Sequence, residues 1–348
     1  MMSQATTKKA RAPKKKAPDP IERAIEKACD SEDEELDNHL RRLSRTEALT
    51  LDIDHRIRWF YRLQVWHREL KRVREDLREL FEPWNEVKLI SLIGMTGIGK
   101  STLAAYLLTH LLKVSSDDLQ PHEIPVIYVK VPANGDRSMS WMVLYTSILV
   151  KGGEVLHAHK RSVEKGDKLQ FKLRKRLSLA DLRTFISEML KARRVRILVI
   201  DEAFHMLRFD NYAATMDTLK SLSEETDSGK LMLIGNYDMS DLVMDYAQVV
   251  RRGEIVHFKR YEVRAELTEE LTADEVEFKR VVEKFEGLWP CRKVPPLTKL
   301  WHYLMRASLG SVGMLKLILL RLAYQQMRSE DEALPTDGMF AKATKSHK

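Results

Sequence analysis

Eight residues, Gly94-Met95-Thr96-Gly97-Ile98-Gly99-Lys100-Ser101, satisfy G-x-x-x-x-G-K-[ST] at every fixed position and run on into Thr102. Each residue type has a task at that spacing. Glycines such as Gly94 and Gly99 allow backbone conformations in which successive N–H groups and a helix N-terminus converge on phosphate oxygens. The Lys100 ammonium reaches the β- and γ-phosphates, and the Ser101 hydroxyl is a hard oxygen ligand for Mg²⁺. About a hundred residues on, Ile197-Leu198-Val199-Ile200 ends in Asp201-Glu202. There Asp201 helps hold Mg²⁺, directly or through water, and Glu202 is placed to polarise an attacking water. ATP and Mg²⁺ are the expected ligands, with Gly94 to Thr102 and Asp201 as their contacts. Two further signals stand nearby. Asn236, after the apolar run Leu231 to Gly235, either orients the lytic water or closes a turn. Arg251 and Arg252 precede another strand and either serve a neighbouring subunit's site as an arginine finger or pair with surface acids.

Chemistry of this kind needs a parallel sheet, since ligands in open α/β sheets collect at the carboxyl ends of the strands. The strands are legible as apolar, β-branched runs: Val87 to Ile93 before the glycine loop, Val126 to Val131, Ile197 to Asp201, Leu231 to Gly235 and Glu254 to Phe258. A helix opens at Thr102. Another spans about 140 to 150, and a third ends near Gly229. Ahead of the sheet, Ser44-Arg45-Thr46-Glu47 has the form of a capping box. Ile57, Phe60, Leu63, Trp66, Leu70, Val73, Leu77 and Leu80 then recur at three and four residues, which predicts one long helix packed on the nucleotide domain. Trp59, Tyr61 and Trp66 at that spacing read as core rather than as base-stacking residues. Beyond the sheet, 261–328 reads as helical, with a second capping box at Thr272-Ala273-Asp274-Glu275 and helices at about 296–306 and 312–327.

The expected fold is therefore an α/β P-loop NTPase with a parallel-sheet core, a helical N-terminal region and a small helical lid. The boundaries are a tail at 1–35, a helical region at 36–85, the core at 86–260, the lid at 261–328 and a C-terminal tail at 329–348. The 348 residues, 44% of them hydrophobic, suffice for about two domains. The two cysteines, Cys29 and Cys291, offer neither a disulfide framework nor a zinc spacing. His157 and His159 lack the companions a metal centre needs. With no apolar leader and no stretch fit to span a bilayer, the expected setting is a reducing bacterial cytoplasm, away from membranes.

The net charge of +8 is unevenly spread. Residues 1–16 carry six Lys and Arg and no acid, and 151–176 carry nine against three, so the rest of the chain is net acidic. The second segment holds Lys151, Lys160, Arg161, Lys165, Lys168, Lys172, Arg174, Lys175 and Arg176. Its density of cations beside a nucleotide core predicts contact with the backbone of double-stranded DNA.

Taken together, residues 45–325 resemble the AAA+ superfamily and, within it, the transposition regulators TnsC and TniB. The resemblance is carried by Gly94 to Thr102, by VIDEAFHML at Val199 to Leu207, by LIGNYD at Leu233 to Asp238, by Arg251-Arg252, and by GSVGMLK at Gly310 to Lys316. It implies an ATPase that forms rings or helical filaments on duplex target DNA and links a target-selection protein to the transposase. It also implies that Asn236 is sensor 1, that Arg252 or Arg251 is the trans arginine finger, and that Lys316 lies in the sensor 2 region. That region departs from the family in bearing Lys where Arg is common. An origin-type or replication-loader ATPase shares the core. Asp201-Glu202-Ala203-Phe204-His205 also fits a DEAxH helicase, but too little chain follows for a second RecA-like domain. A switch that binds ATP without productive hydrolysis conflicts with intact Lys100 and Glu202.

Overall fold

Five short apolar runs pair side by side, every pair parallel, in the order β2-β3-β4-β1-β5. They are β1 (Leu89–Gly94), β2 (Val126–Lys130), β3 (Ile197–Asp201), β4 (Lys230–Gly235) and β5 (Gly253–Phe258). The computed structural model describes residues 34–104, 106–107, 120–131, 141–153, 178–207, 212–224, 229–239, 253–265 and 270–345. The basic residues at 8–16, His157, His159, Lys160, Arg161, Lys165, Lys168, Lys172, Arg174, Lys175, Arg176, Arg251 and Arg252 lie outside these.

β1, β3 and β4 are buried along their whole length, which is why they read as unbroken apolar runs. One face of the sheet packs Ile90, Leu92, Val199, Met232, Ile234, Val256 and Phe258 against the helix Arg68–Phe81 and the P-loop helix through Val73, Leu77, Leu103 and Leu107. The opposite face packs Leu198, Ile200, Leu231 and Leu233 against α5 (Trp141–Lys151), α6 (Leu179–Ala192) and α8 (Tyr212–Glu224). With both faces covered, the polar ends of the strands are the places left for chemistry.

The chain divides into two compact units. One comprises Trp66–Phe278 and Leu309–Met314 and contains the sheet. The other gathers the chain up to Val65, Lys279–Ser308 and the chain from Leu315 onward.

The single long helix predicted from Ile57 to Leu80 is two helices, α3 (Ile53–Arg62) and α4 (Arg68–Phe81). At the end of α3, Leu63 turns extended (ψ 136), and the Lys316 ammonium donates to the orphan carbonyls of Tyr61 (2.6 Å) and Leu63 (2.5 Å). His67 then caps α4, its ring accepting from the Leu70 N–H. The apolar stripe runs unbroken through the sequence because it serves two cores. Phe60 meets Phe285 and Trp289 edge-on in the helical unit, whereas Val73, Leu77 and Phe81 join the sheet.

Both capping boxes form, Ser44 with Glu47 and Thr272 with Glu275, the latter opening α9 (Ala273–Gly287). Residues 261–265 and 270–271 are not helical, and the expected helix at 296–306 begins as a 3₁₀ turn, Leu297–Leu300, before α10 (Trp301–Ala307). α11 spans Val312–Met327. The expected C-terminal tail instead contains α12 (Asp337–Lys345), anchored by buried Phe340 and Ala343 and by the Tyr303 hydroxyl at Thr344 (3.1 Å). Two apolar anchors in a short polar segment gave too weak a period to announce it. In the helical unit, Arg45 donates to the Trp289 and Cys291 carbonyls (both 2.8 Å), and burial pushes the Cys291 thiol up to about 12. That thiol is structural and inert. Among the described residues no helix is long and apolar enough to cross a membrane.

Candidate nucleotide site

β1 ends at Gly94, and the chain turns through Met95 to Gly99 into the P-loop helix. Gly97 (φ +76°) and Gly99 (φ +107°) take the left-handed conformations that only glycine adopts freely, so the loop curls as the motif requires. Lys100 folds back over it, its ammonium donating to the carbonyls of Gly94 and Met95 (both 2.8 Å). Burial lowers its pKa to about 8, against the opposing pull of Asp201 and Glu202. A cation desolvated this way and flanked by two carboxylates is poised for an arriving anion.

The segment Leu309–Met314 covers the loop from outside. Gly313 lies so close that a Cβ there would fall 1.7 Å from the Gly97 carbonyl oxygen, so only glycine fits. The GSVGMLK run thus belongs to the P-loop's packing. Its Lys316 does something else: it is bound to the Tyr61 and Leu63 carbonyls and lies over the Tyr61 ring (5.6 Å) within the helical unit.

The Walker B pair divides its work. Asp201 is buried, 3% exposed, and its Oδ1 accepts from the Glu202 N–H (2.7 Å) while Oδ2 accepts from the Tyr128 hydroxyl. Glu202 sits at φ +54°, a left-handed position costing about 1–2 kcal/mol for a residue with a Cβ. The Ala203 N–H bond to the Ile234 carbonyl (2.9 Å) and the His205 N–H bond to the Glu202 carbonyl (3.0 Å) hold it there. Its carboxylate is held by Lys130 (2.9 Å), whose pKa it raises, and by His205 Nε2 (3.2 Å). The His205 Nδ1 is buried with no partner.

Asn236 stands just past β4. Its Nδ2 donates to Asp238 (2.9 Å), its carbonyl accepts from the Met239 N–H (3.2 Å), and its Oδ1 is buried without a partner. The turn expected here is present, and the amide keeps one free acceptor. Lys151 ends α5, its residue exposed.

Three contacts escaped sequence reading: Tyr128, Lys130 and His205. The signal for the first two lay in the alternation of β2, where Val126, Tyr128 and Lys130 share a face. Lys130 pairs in register with Asp201, which brings that face beside the carboxylates.

The residues suit a magnesium nucleotide. Ser101 and Asp201 offer hard oxygens, and the Lys100 ammonium offers charge for phosphate. Among the described residues no three His, Cys, Asp or Glu side chains gather as a metal centre of their own, so phosphate oxygens would complete the shell. Mg²⁺ held there would neutralise phosphate charge.

Residues 85–243 match the family model of an AAA domain, and that match covers both halves of this site. The core has the fold of an AAA+ P-loop ATPase domain. The "Probable ABC transporter ATP-binding protein in ycf23-apcF intergenic region" of Cyanophora paradoxa is 25% identical to the chain over 193 residues, covering 50% of this chain and 78% of that one. Among solved structures, the Aeropyrum pernix ORC1 protein in complex with DNA superposes with a TM-score of 0.54 at 16% identity, covering 88% of this chain and 71% of that one. The Aeropyrum pernix ORC2 protein, solved as ADPNP and ADP complexes, gives 0.52 at 16% identity over 80% and 67%. At this identity the two structures show a shared fold.

Proposed function

We propose that the chain is an ATP-dependent regulator of DNA transposition that oligomerises on double-stranded DNA, as a ring or helical filament, and couples a target-selection protein to the transposase. The observation that carries this reading is the state of Glu202. Its carboxylate is held by Lys130 and His205 beside an otherwise complete phosphate cradle, the arrangement expected of an ATPase that waits for assembly before it hydrolyses. Arg251 or Arg252 from a neighbouring subunit is assigned to complete the site, and the basic run that opens at Lys151 and continues through Lys160, Arg161, Lys172, Arg174, Lys175 and Arg176 is assigned to DNA phosphates. Asn236 is assigned to the lytic water.

A replication-initiator or loader role is the second reading, favoured by likeness to an ORC1 protein solved with DNA. Electron microscopy with ATP, with and without duplex DNA, separates the two. Continuous rings or filaments along the duplex support the transposition reading, and discrete small assemblies at isolated positions support the loader. Glu202→Gln should bind ATP normally, slow hydrolysis by about 10²-fold or more, and hold the DNA-bound oligomer together. Hydrolysis by this variant at the parental rate would remove the catalytic assignment.

A further inference from the structure

Tyr128 lies midway along β2, on the face packed with the P-loop helix and two residues before Lys130. Nothing in the phosphate-binding motif asks for a phenol there. Its hydroxyl donates to Asp201 Oδ2. The second oxygen of the same carboxylate takes the Glu202 N–H (2.7 Å). A buried carboxylate is thus gripped at both ends by neutral donors.

The consequence for geometry is direct. The torsion that rotates a carboxylate about its last bond is broad when nothing restrains it. One donor on each oxygen fixes that rotation. Each oxygen still keeps acceptor capacity, because an ionised carboxylate has about four lone-pair sites. Asp201 is therefore held in one orientation without being used up.

We propose that Tyr128 is a positioning residue of the ATPase site: its hydroxyl fixes the orientation of Asp201 and so sets how tightly the site takes a divalent cation with its nucleotide. This rests on the ATP site and is independent of the DNA reading. Partners that orient metal-facing groups typically contribute 10–100-fold in metal affinity. The plain alternative is that Asp201 merely satisfies a half-buried phenol, in which case losing the hydroxyl alters stability and leaves cation dependence alone.

Tyr128→Phe separates these. A fluorescent ATP analogue is titrated into the full chain in EDTA and across a Mg²⁺ series, with thermal melts as a check on folding. Affinity in EDTA should stay within about twofold, while the half-saturating Mg²⁺ concentration rises about tenfold. An unchanged Mg²⁺ midpoint overturns the proposal, as does an equal loss of affinity in EDTA and in Mg²⁺. The same change on an Asp201→Asn background should then have little further effect on the midpoint, since Tyr128 acts through that carboxylate. A full tenfold effect persisting in the double variant also overturns it. If the parental chain shows no Mg²⁺-dependent nucleotide binding at all, the nucleotide site itself is misassigned, a different failure from an unaffected Tyr128→Phe.

Discussion

β1 and β4 are neighbours in the sheet, and at opposite edges each brings in a lysine that donates to two backbone carbonyls. At the C-terminal edge Lys100 holds Gly94 and Met95. At the N-terminal edge Lys230 holds Asn85 (2.7 Å) and Val87 (3.0 Å). Burial lowers the pKa of both. Their surroundings differ. Lys100 has Asp201 and Glu202 close by and a glycine loop curled around it, whereas Lys230 has Lys88 as its charged neighbour and staples the chain that leads into β1. A buried lysine on two carbonyls is thus no signature of function. What marks a site is carboxylates within reach and a backbone free to present N–H groups to a ligand.

Paired substitutions would break this contrast most directly. Lys100→Met should weaken ATP binding about 100-fold, the size of one or two hydrogen bonds to a charged group, while the melting temperature without nucleotide changes little. Lys230→Met should do the reverse, lowering stability by about 1–3 kcal/mol through two orphaned carbonyls and leaving nucleotide affinity within about twofold. Calorimetry and melting curves on both variants decide the matter, and a shared phenotype would erase the distinction.

A pH series sharpens it. The depressed pKa of Lys100 means that its neutral form takes over above about 8, and phosphate needs the ammonium. Nucleotide affinity should therefore be full below pH 8 and fall as pH rises through it, by up to about tenfold per unit, until the bound phosphate's own pull on the proton intervenes. Lys100→Arg, always protonated, should flatten that profile even if its affinity is lower.

The smallest effect concerns Lys130. Its pair with Glu202 joins half-exposed side chains, and such pairs contribute at most about 1 kcal/mol. Lys130→Met should therefore raise unstimulated hydrolysis by no more than about fivefold, measured as phosphate release without DNA. A larger rise would mean that the pair holds Glu202 harder than its exposure allows.

Much of the core was legible because local rules and burial agreed. β1, β3 and β4 announce themselves as unbroken apolar runs covered on both faces, and both capping boxes form where Ser44 and Thr272 stand three residues ahead of Glu47 and Glu275. Of the P-loop glycines Gly94 and Gly99, Gly99 takes a left-handed backbone, whereas Gly94 ends β1 and Gly97 makes the other left-handed turn. What escaped was non-local. The grip of Tyr128 on Asp201 depends on β2 lying beside β3, although 73 residues separate the two side chains. The break between α3 and α4 depends on Lys316, which lies more than 250 residues beyond Leu63. Periodicity cannot register such partners, and it carried the stripe from Ile57 to Leu80 across two different cores.

The contact between Gly313 and Gly97 also has a history during synthesis. The loop is translated more than two hundred residues before the segment that covers it. At 5–20 residues per second that is an interval of about 10–40 s, in which β1 to β5 can already pair while the outer side of the P-loop stays open. The nascent sheet therefore has its phosphate cradle before it has the cradle's cover, and a ribosome that stalls short of Gly310 releases a chain whose nucleotide loop lacks its backbone support.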